Sequence, residues 1–460
     1  MSCDLLVAGG TLVTSAGRRR ADVAVTGGVI TAILPPGTAP PAARVLDAQG
    51  RHVLPGAIDT HVHTRHPGVP EREDFVSGTS AAAAGGITTL CEMPISKAPT
   101  NSGPALATRA RMLEADAVVD FALYGGAGQQ NLDRIAGQAE AGAIAFKTFL
   151  QPPPPARLDE FEGLWCTDEV VLGDVMRAVK TTGLRHCFHC EHTPLFQALR
   201  RRLTAEGRTS GRAHAESRPP VVEELSAAIV LALAEDLNAR VQIVHCSSPR
   251  TARLARDARW RGVDATVETC PPYLFFTDEA LDRLGPYAVC NPPLRGEREV
   301  RGLRQCLREG LIEVIGSDHS PFLADDKARG ADVIFDTPPG LAGLEVLVPL
   351  MLTAAHHGWI TVEDVAALVS ENAARLFGLT RKGRLQPGAD ADFTVVDLDA
   401  VWRYDATAAV TRARANMRLY DGVELHGRVV STVVRGALVY HDGVVTGTPG
   451  HGRFVRPARA

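Results

Sequence analysis

No stretch of the chain approaches the roughly 18 consecutive apolar residues of a membrane-spanning helix, so no membrane partner is expected. Basic residues are not in excess either. Lys and Arg number 49 against 53 Asp and Glu, a net charge of -4, which leaves no electrostatic footprint for nucleic acid. The opening Met1-Ser-Cys-Asp carries no basic n-region, and Gly9, Gly10 and Thr11 break the apolar residues behind it, so no secretory signal is expected there. The 9 cysteines are odd in number and scattered, unlike a disulfide framework, and point to reduced thiols and a cytoplasmic setting. Cys187-Phe-His-Cys190 has C-x-x-C spacing, but within a strand its thiols face opposite sides, which excludes one thiolate metal site. Gly125-Gly-Ala-Gly128 lacks the G-x-G-x-x-G spacing and the distant acidic residue of a dinucleotide loop.

What remains is ordinary globular composition, 45% hydrophobic and 22% charged over 460 residues, enough to bury a large core. Residues 1–54 read as short strands, Leu5–Val7, Thr11–Val13, Val23–Val25 and Val29–Ile30, separated by Gly-Gly turns. The same texture returns in Asp392–Asp397 and Val429–Val434, so residues 1–54 and 386–460 are expected to pair into one β domain. Residues 55–385 alternate apolar strands with Ala-, Leu- and Arg-rich helical stretches, the pattern of repeated βα units. Eight strands are expected at 53–63, 87–93, 121–125, 143–150, 184–192, 241–247, 264–270 and 313–319, the number that closes a (β/α)8 TIM barrel.

An active site in such a barrel lies at the C-terminal ends of the strands. The candidate strand ends carry His61 and His63, Lys147, His189, His245 and Asp318. His61 and His63, two apart on extended backbone, face one side, with Asp59 near enough to orient them, as a divalent cation such as zinc requires. Lys147 is the unusual member, because an ammonium repels a cation. Its apolar setting, Ala143-Ile-Ala-Phe-Lys-Thr-Phe-Leu150, favours the neutral amine, which can add carbon dioxide and become a carbamate.

Asp59-x-His-x-His63, Phe146-Lys-Thr-Phe149, His189-Cys-Glu191, His245-Cys-Ser-Ser-Pro249 and Gly316-Ser-Asp-His-Ser-Pro321 together resemble the metal motifs of the cyclic amidohydrolases: hydantoinases (dihydropyrimidinases), allantoinases and dihydroorotases. The likeness extends to Gly86–Pro94, Ser217–Pro220, Asn291–Arg295 and Leu385–Asp392. It implies an α/β fold, a (β/α)8 barrel flanked by a β-sandwich, and two divalent metal ions, Zn2+ with Mn2+ or Co2+ as substitutes, bridged by the Lys147 carbamate. Under it His61, His63 and Asp318 hold one metal, and His189 and His245 the other. Asp318 is then the general base turned general acid that opens the ring of a small cyclic amide or ureide. The resemblance also implies a homo-oligomer, dimer or tetramer. A rival reading, a non-catalytic barrel kept for assembly, predicts lost ligands, whereas all six positions are filled.

The substrate motifs point in different directions. Arg65 matches the arginine with which dihydroorotases grip a carboxylate, yet Ile95-Ser96 and Phe322 stand where its asparagine and histidine companions belong. Phe322 resembles the hydantoinase loop, but Thr148-Phe-Leu-Gln-Pro152 lacks the hydantoinase tyrosine. Glu92-Met-Pro94 and His189-Cys-Glu191 look more like allantoinase, while Asn291 fits dihydroorotase better and offers its backbone to an imide edge. The order of expectation is an allantoinase-like ring opening, then hydantoinase or dihydropyrimidinase, then dihydroorotase, with Arg65, Asn291 and Phe322 as substrate-binding residues.

Overall fold

A computed structural model describes residues 2–458. Eight short strands form the barrel: Ala57–Val62, Ile87–Glu92, Asp120–Leu123 continued by Gly125–Gly126, Phe146–Phe149, His186–His189, Val241–Ile243, Ala265–Thr269 and Val314–Ile315. All pairings among them are parallel. Strand three joins the two halves, since Ile144 N donates to Leu123 O and Gly125 N to Ala145 O, both at 2.9 Å. The last gap is closed where His63 N donates to His319 O at 2.7 Å and Asp59 accepts from Ser317 N at 3.0 Å. Every residue of these strands is buried, because one face fills the barrel and the other packs under helices, as parallel sheets require.

Several helices begin where a side chain satisfies their first N–H groups. Asp74 opens Phe75–Ala84 by accepting from Ser77 N, and Asp168 opens Glu169–Thr181 by accepting from Val170 N and Val171 N. Gly86 then turns the chain into strand two at φ +86°, against Thr394 of the second sheet, where an added Cβ would stand 2.6 Å from a methyl carbon. Among the described residues no helix is long and apolar enough to cross a membrane.

Both chain ends build the second sheet, nine strands of mixed direction from Cys3–Thr14 to Val444–Val445. His52–Pro55, the lead-in to the barrel, pairs antiparallel with Phe393–Arg403 and so stitches the beginning of the chain to its end. The sheet curls over its own core, which contains Val7, Val23, Ile30, Val53, Phe393, Val395 and Val433, and makes the β-sandwich beside the barrel. One expectation is corrected here. Leu5–Val7 and Thr11–Val13 are not two strands divided by a turn but one strand, Cys3–Thr14, whose register shifts between Val7 and Gly10. Gly9, at φ +68°, absorbs the extra residue as a bulge, a job open to glycine without strain.

Where sandwich meets barrel, three carboxylates are buried together. Asp120 starts barrel strand three, and Asp390 and Asp392 precede Phe393. Lys382 Nζ sits among them, 2.7 Å from Asp392, 3.1 Å from Asp390 and bonded to Asp120, which also pairs with Arg435.

Candidate metal centre

Six ligand-type side chains sit at the other ends of the strands. His61 Nδ1 lies 2.7 Å from Glu268 Oε1, and its Nε2 has no hydrogen-bond partner and points to Asp318 Oδ1 at 3.4 Å. His63 Nε2 stands 3.4 Å from the same oxygen. Ligand atoms of His61, His63 and Asp318 all lie within 4.8 Å of one another. The second group follows directly: the His245 ring is 5.3 Å from His61, and His245 Nε2 is 2.9 Å from His189 Nδ1. Lys147 is completely buried, and its Nζ has no hydrogen-bond partner at all.

The electrostatics follow from burial. It pushes the Lys147 ammonium down to about 8, against the pull of Asp318 and Glu268. It lowers His63, His189 and His245 as well, which keeps imidazole lone pairs free. Burial alone would raise the Asp318 carboxyl, but His61, then His63 and Lys147, hold it at about 2. Arg65, His245 and Asp318 also share left-handed backbone, φ +58°, +39° and +48°, a conformation that costs roughly 1–3 kcal/mol per residue and clusters at functional sites. Converging imidazoles and a carboxylate, with nitrogens of His61, His63 and His245 buried and without hydrogen-bond partners among the described residues, are the donor set that a divalent cation takes. The residues fit the metal.

The model of the Amidohydrolase family matches residues 52–439. The chain belongs to that family. An allantoinase of Deinococcus radiodurans is 39% identical over 99% of both chains, and an allantoinase of Rubrobacter xylanophilus is 39% identical over 99% of this chain and 98% of its own. Among solved structures, the L-hydantoinase (dihydropyrimidinase) from Arthrobacter aurescens superposes with a TM-score of 0.94 at 32% identity, covering 99% of this chain and 100% of the other. These relatives carry the TIM barrel with its flanking β-sandwich, and the family is metal-dependent. An amidohydrolase acting on cyclic amides is the enzyme class to which the chain is assigned.

Within this amidohydrolase, two of the three residues expected to bind substrate, Arg65 and Phe322, pack together, and Asn291 is held elsewhere. Arg65 donates from Nη2 to Ser320 Oγ at 2.6 Å and lies 4.7 Å over the Phe322 ring, while its Nε and Nη1 have no partner. Phe322 is buried, a platform also for Arg72 and Lys327. Asn291 is tied elsewhere: its Oδ1 is 3.1 Å from His214 Nε2 in the loop after strand five.

Asp59 does not orient the imidazoles as expected. Its carboxylate accepts from the backbone N–H of His61 and of Ser317, so it ties strand one to strand eight, and burial raises it to about 6. The imidazole partners are Glu268 for His61 and Glu191, at 2.9 Å, for His189. His319 faces inward, 3.5 Å from Glu73 and accepting from Gly343 N. Glu92, the first residue of Glu92-Met-Pro94, has a structural job that the motif does not announce. With Arg109 it holds the loop after strand one, accepting from Thr64 N, Arg65 N and Arg109 Nη2. A signal for Glu268 was present: it sits inside Ala265–Thr269, and a carboxylate within a buried strand needs a partner.

Proposed function

We propose that the chain hydrolyses the C–N bond of a small cyclic amide, with an allantoin-type ureide as the first candidate ring and hydantoins or dihydropyrimidines as the second. The observation that carries this is the convergence of His61, His63, His189, His245 and Asp318 on a buried lysine whose Nζ has no hydrogen-bond partner among the described residues, at the C-terminal ends of the barrel strands. In this reading His61, His63 and Asp318 hold one divalent cation, zinc with manganese or cobalt as substitutes, and His189 and His245 a second. Lys147, once it has added carbon dioxide to become a carbamate, would help hold both, and burial, which lowers its amine to about 8, favours that adduct. When bound, such cations supply Lewis acidity toward the ring carbonyl and acidify water.

The chain's own residues do the rest. Asp318 keeps 19% of its side chain accessible, so it can reach both water and ring. It takes the proton of the attacking water and returns it to the ring nitrogen. The water oxygen bonds to the carbonyl carbon, the C–N bond breaks, and the products are a carboxylate and a free ureido or amide nitrogen. Glu268 and Glu191 keep His61 and His189 in single ring orientations.

A second reading, a ring bearing a carboxylate, draws on Arg65, whose Nε and Nη1 are enclosed and without partners. One panel separates these. Protein reconstituted with zinc or manganese and bicarbonate is given allantoin, hydantoin, a 5-substituted hydantoin, dihydrouracil and dihydroorotate. Turnover of allantoin above the others supports the first reading, and preference for dihydroorotate the second. A metal-loaded protein that opens none of these rings refutes both.

A further inference from the structure

A carboxylate links the second imidazole pair to an arginine outside it. Glu191 is buried, and its Oε2 receives both His189 Nε2, at 2.9 Å, and Arg218 Nη1, at 2.6 Å. An imidazole that donates one N–H to a carboxylate keeps its lone pair on the other nitrogen. In His189 that other nitrogen is Nδ1, the atom facing His245 Nε2 at 2.9 Å. Glu191 is the nearer partner of that Nε2, with Gln151 Nε2 3.3 Å away, and as an acceptor there it directs the His189 lone pair to Nδ1.

Arg218 is what holds Glu191. Its guanidinium stacks 4.0 Å over the Phe196 ring, and its backbone carbonyl accepts from Arg295. Arg295 in turn donates from Nε to Ser247 Oγ at 2.9 Å, two residues past His245. Side chains from the segments after strands five, six and seven are thus tied around the one pair of imidazoles. Arg218 itself is only 12% exposed, and its Nη1 hydrogen bond goes to Glu191 rather than to any of the six ligand-type residues. A planar fork suits this task better than an ammonium, since it can stack and donate at once.

We infer that Arg218 is a positioning residue for the second metal position: by clamping Glu191 it fixes the tautomer and ring plane of His189, so that His189 Nδ1 and His245 Nε2 offer lone pairs together. This rests on the proposal that these two histidines hold a metal. The test measures zinc binding, by equilibrium titration and elemental analysis with bicarbonate present, in wild type, Arg218→Ala and Arg218→Lys, with 15N-histidine NMR of each metal-free protein. In Arg218→Ala the first zinc is expected to bind as in wild type and the second roughly 10–100-fold more weakly. Its His189 signal is expected to become a mixture of tautomers, and Arg218→Lys to fall between. A second zinc bound with wild-type affinity, together with an unchanged His189 tautomer, overturns the proposal. Wild type that binds no second zinc overturns instead the assignment of His189 and His245 as ligands. Should Arg218→Ala fail to fold, Arg218→Lys decides: a weakened second site supports the clamp and wild-type affinity refutes it.

Discussion

Two buried groups of metal-ligand side chains lie at opposite ends of the barrel strands, and they differ in what fills them. Asp120, Asp390 and Asp392 come within 4.8 Å of one another, as His61, His63 and Asp318 do. In the carboxylate trio, Lys382 and Arg435 supply the positive charge, and Arg381 pairs with Asp390. In the histidine group, among the described residues, no cationic side chain bonds these atoms: His61 Nε2 and Lys147 Nζ have no hydrogen-bond partner, and the lysine is held toward neutrality. Proximity of ligand types is therefore a poor sign of a metal site. Unsatisfied donors at the catalytic end of a barrel are a better one, because buried polar atoms otherwise find partners.

The contrast can be broken by mutation, most severely at Lys147. Lys147→Ala should lose most bound metal and with it turnover, and short carboxylic acids such as acetate should restore part of both. Metal analysis that finds wild-type occupancy would refute the bridging role. Asp318→Asn should keep KM near wild type while kcat falls roughly 10²–10⁴-fold, the usual range for removing a general acid–base. Steady-state kinetics that show a raised KM alone would move Asp318 out of the proton transfer.

Lys382→Met addresses the other group. It leaves Asp120, Asp390 and Asp392 buried with one cation fewer and should cost about 3–5 kcal/mol in denaturant unfolding, while metal per folded chain stays unchanged. Loss of metal from Lys382→Met would mean that the two groups are coupled rather than separate. The smallest effect is expected at Arg65. Arg65→Gln should raise KM about tenfold for rings bearing a carboxylate, the worth of one charge-assisted hydrogen bond, and leave uncharged rings nearly untouched.

The sequence shows these two groups unequally. The histidine group was readable because each member sits at the end of a local apolar run, and eight such runs fix both the barrel and the end on which chemistry lies. The carboxylate trio was not, since Asp120 meets Lys382 across 262 positions and no local pattern joins them. Asp59 misled for a related reason: beside His61 in sequence, it turns its carboxylate to the backbone of strands one and eight. Glu268 is marked in sequence as a strand carboxylate in need of a partner, but its pairing with His61 across 207 positions shows only once the strands are closed into a ring. Glu191, by contrast, stands two residues from His189. Gly9 was read as a turn because a bulge and a turn use the same residue type, and the strand pairing on either side decides between them.

Anomalous diffraction at the zinc edge, from crystals grown with zinc and bicarbonate, tests the central claim most directly. The account predicts two peaks, one against His61, His63 and Asp318 and one against His189 and His245, joined by density extending from Lys147 Nζ. A peak among Asp120, Asp390 and Asp392, or none beside the histidines, would contradict it.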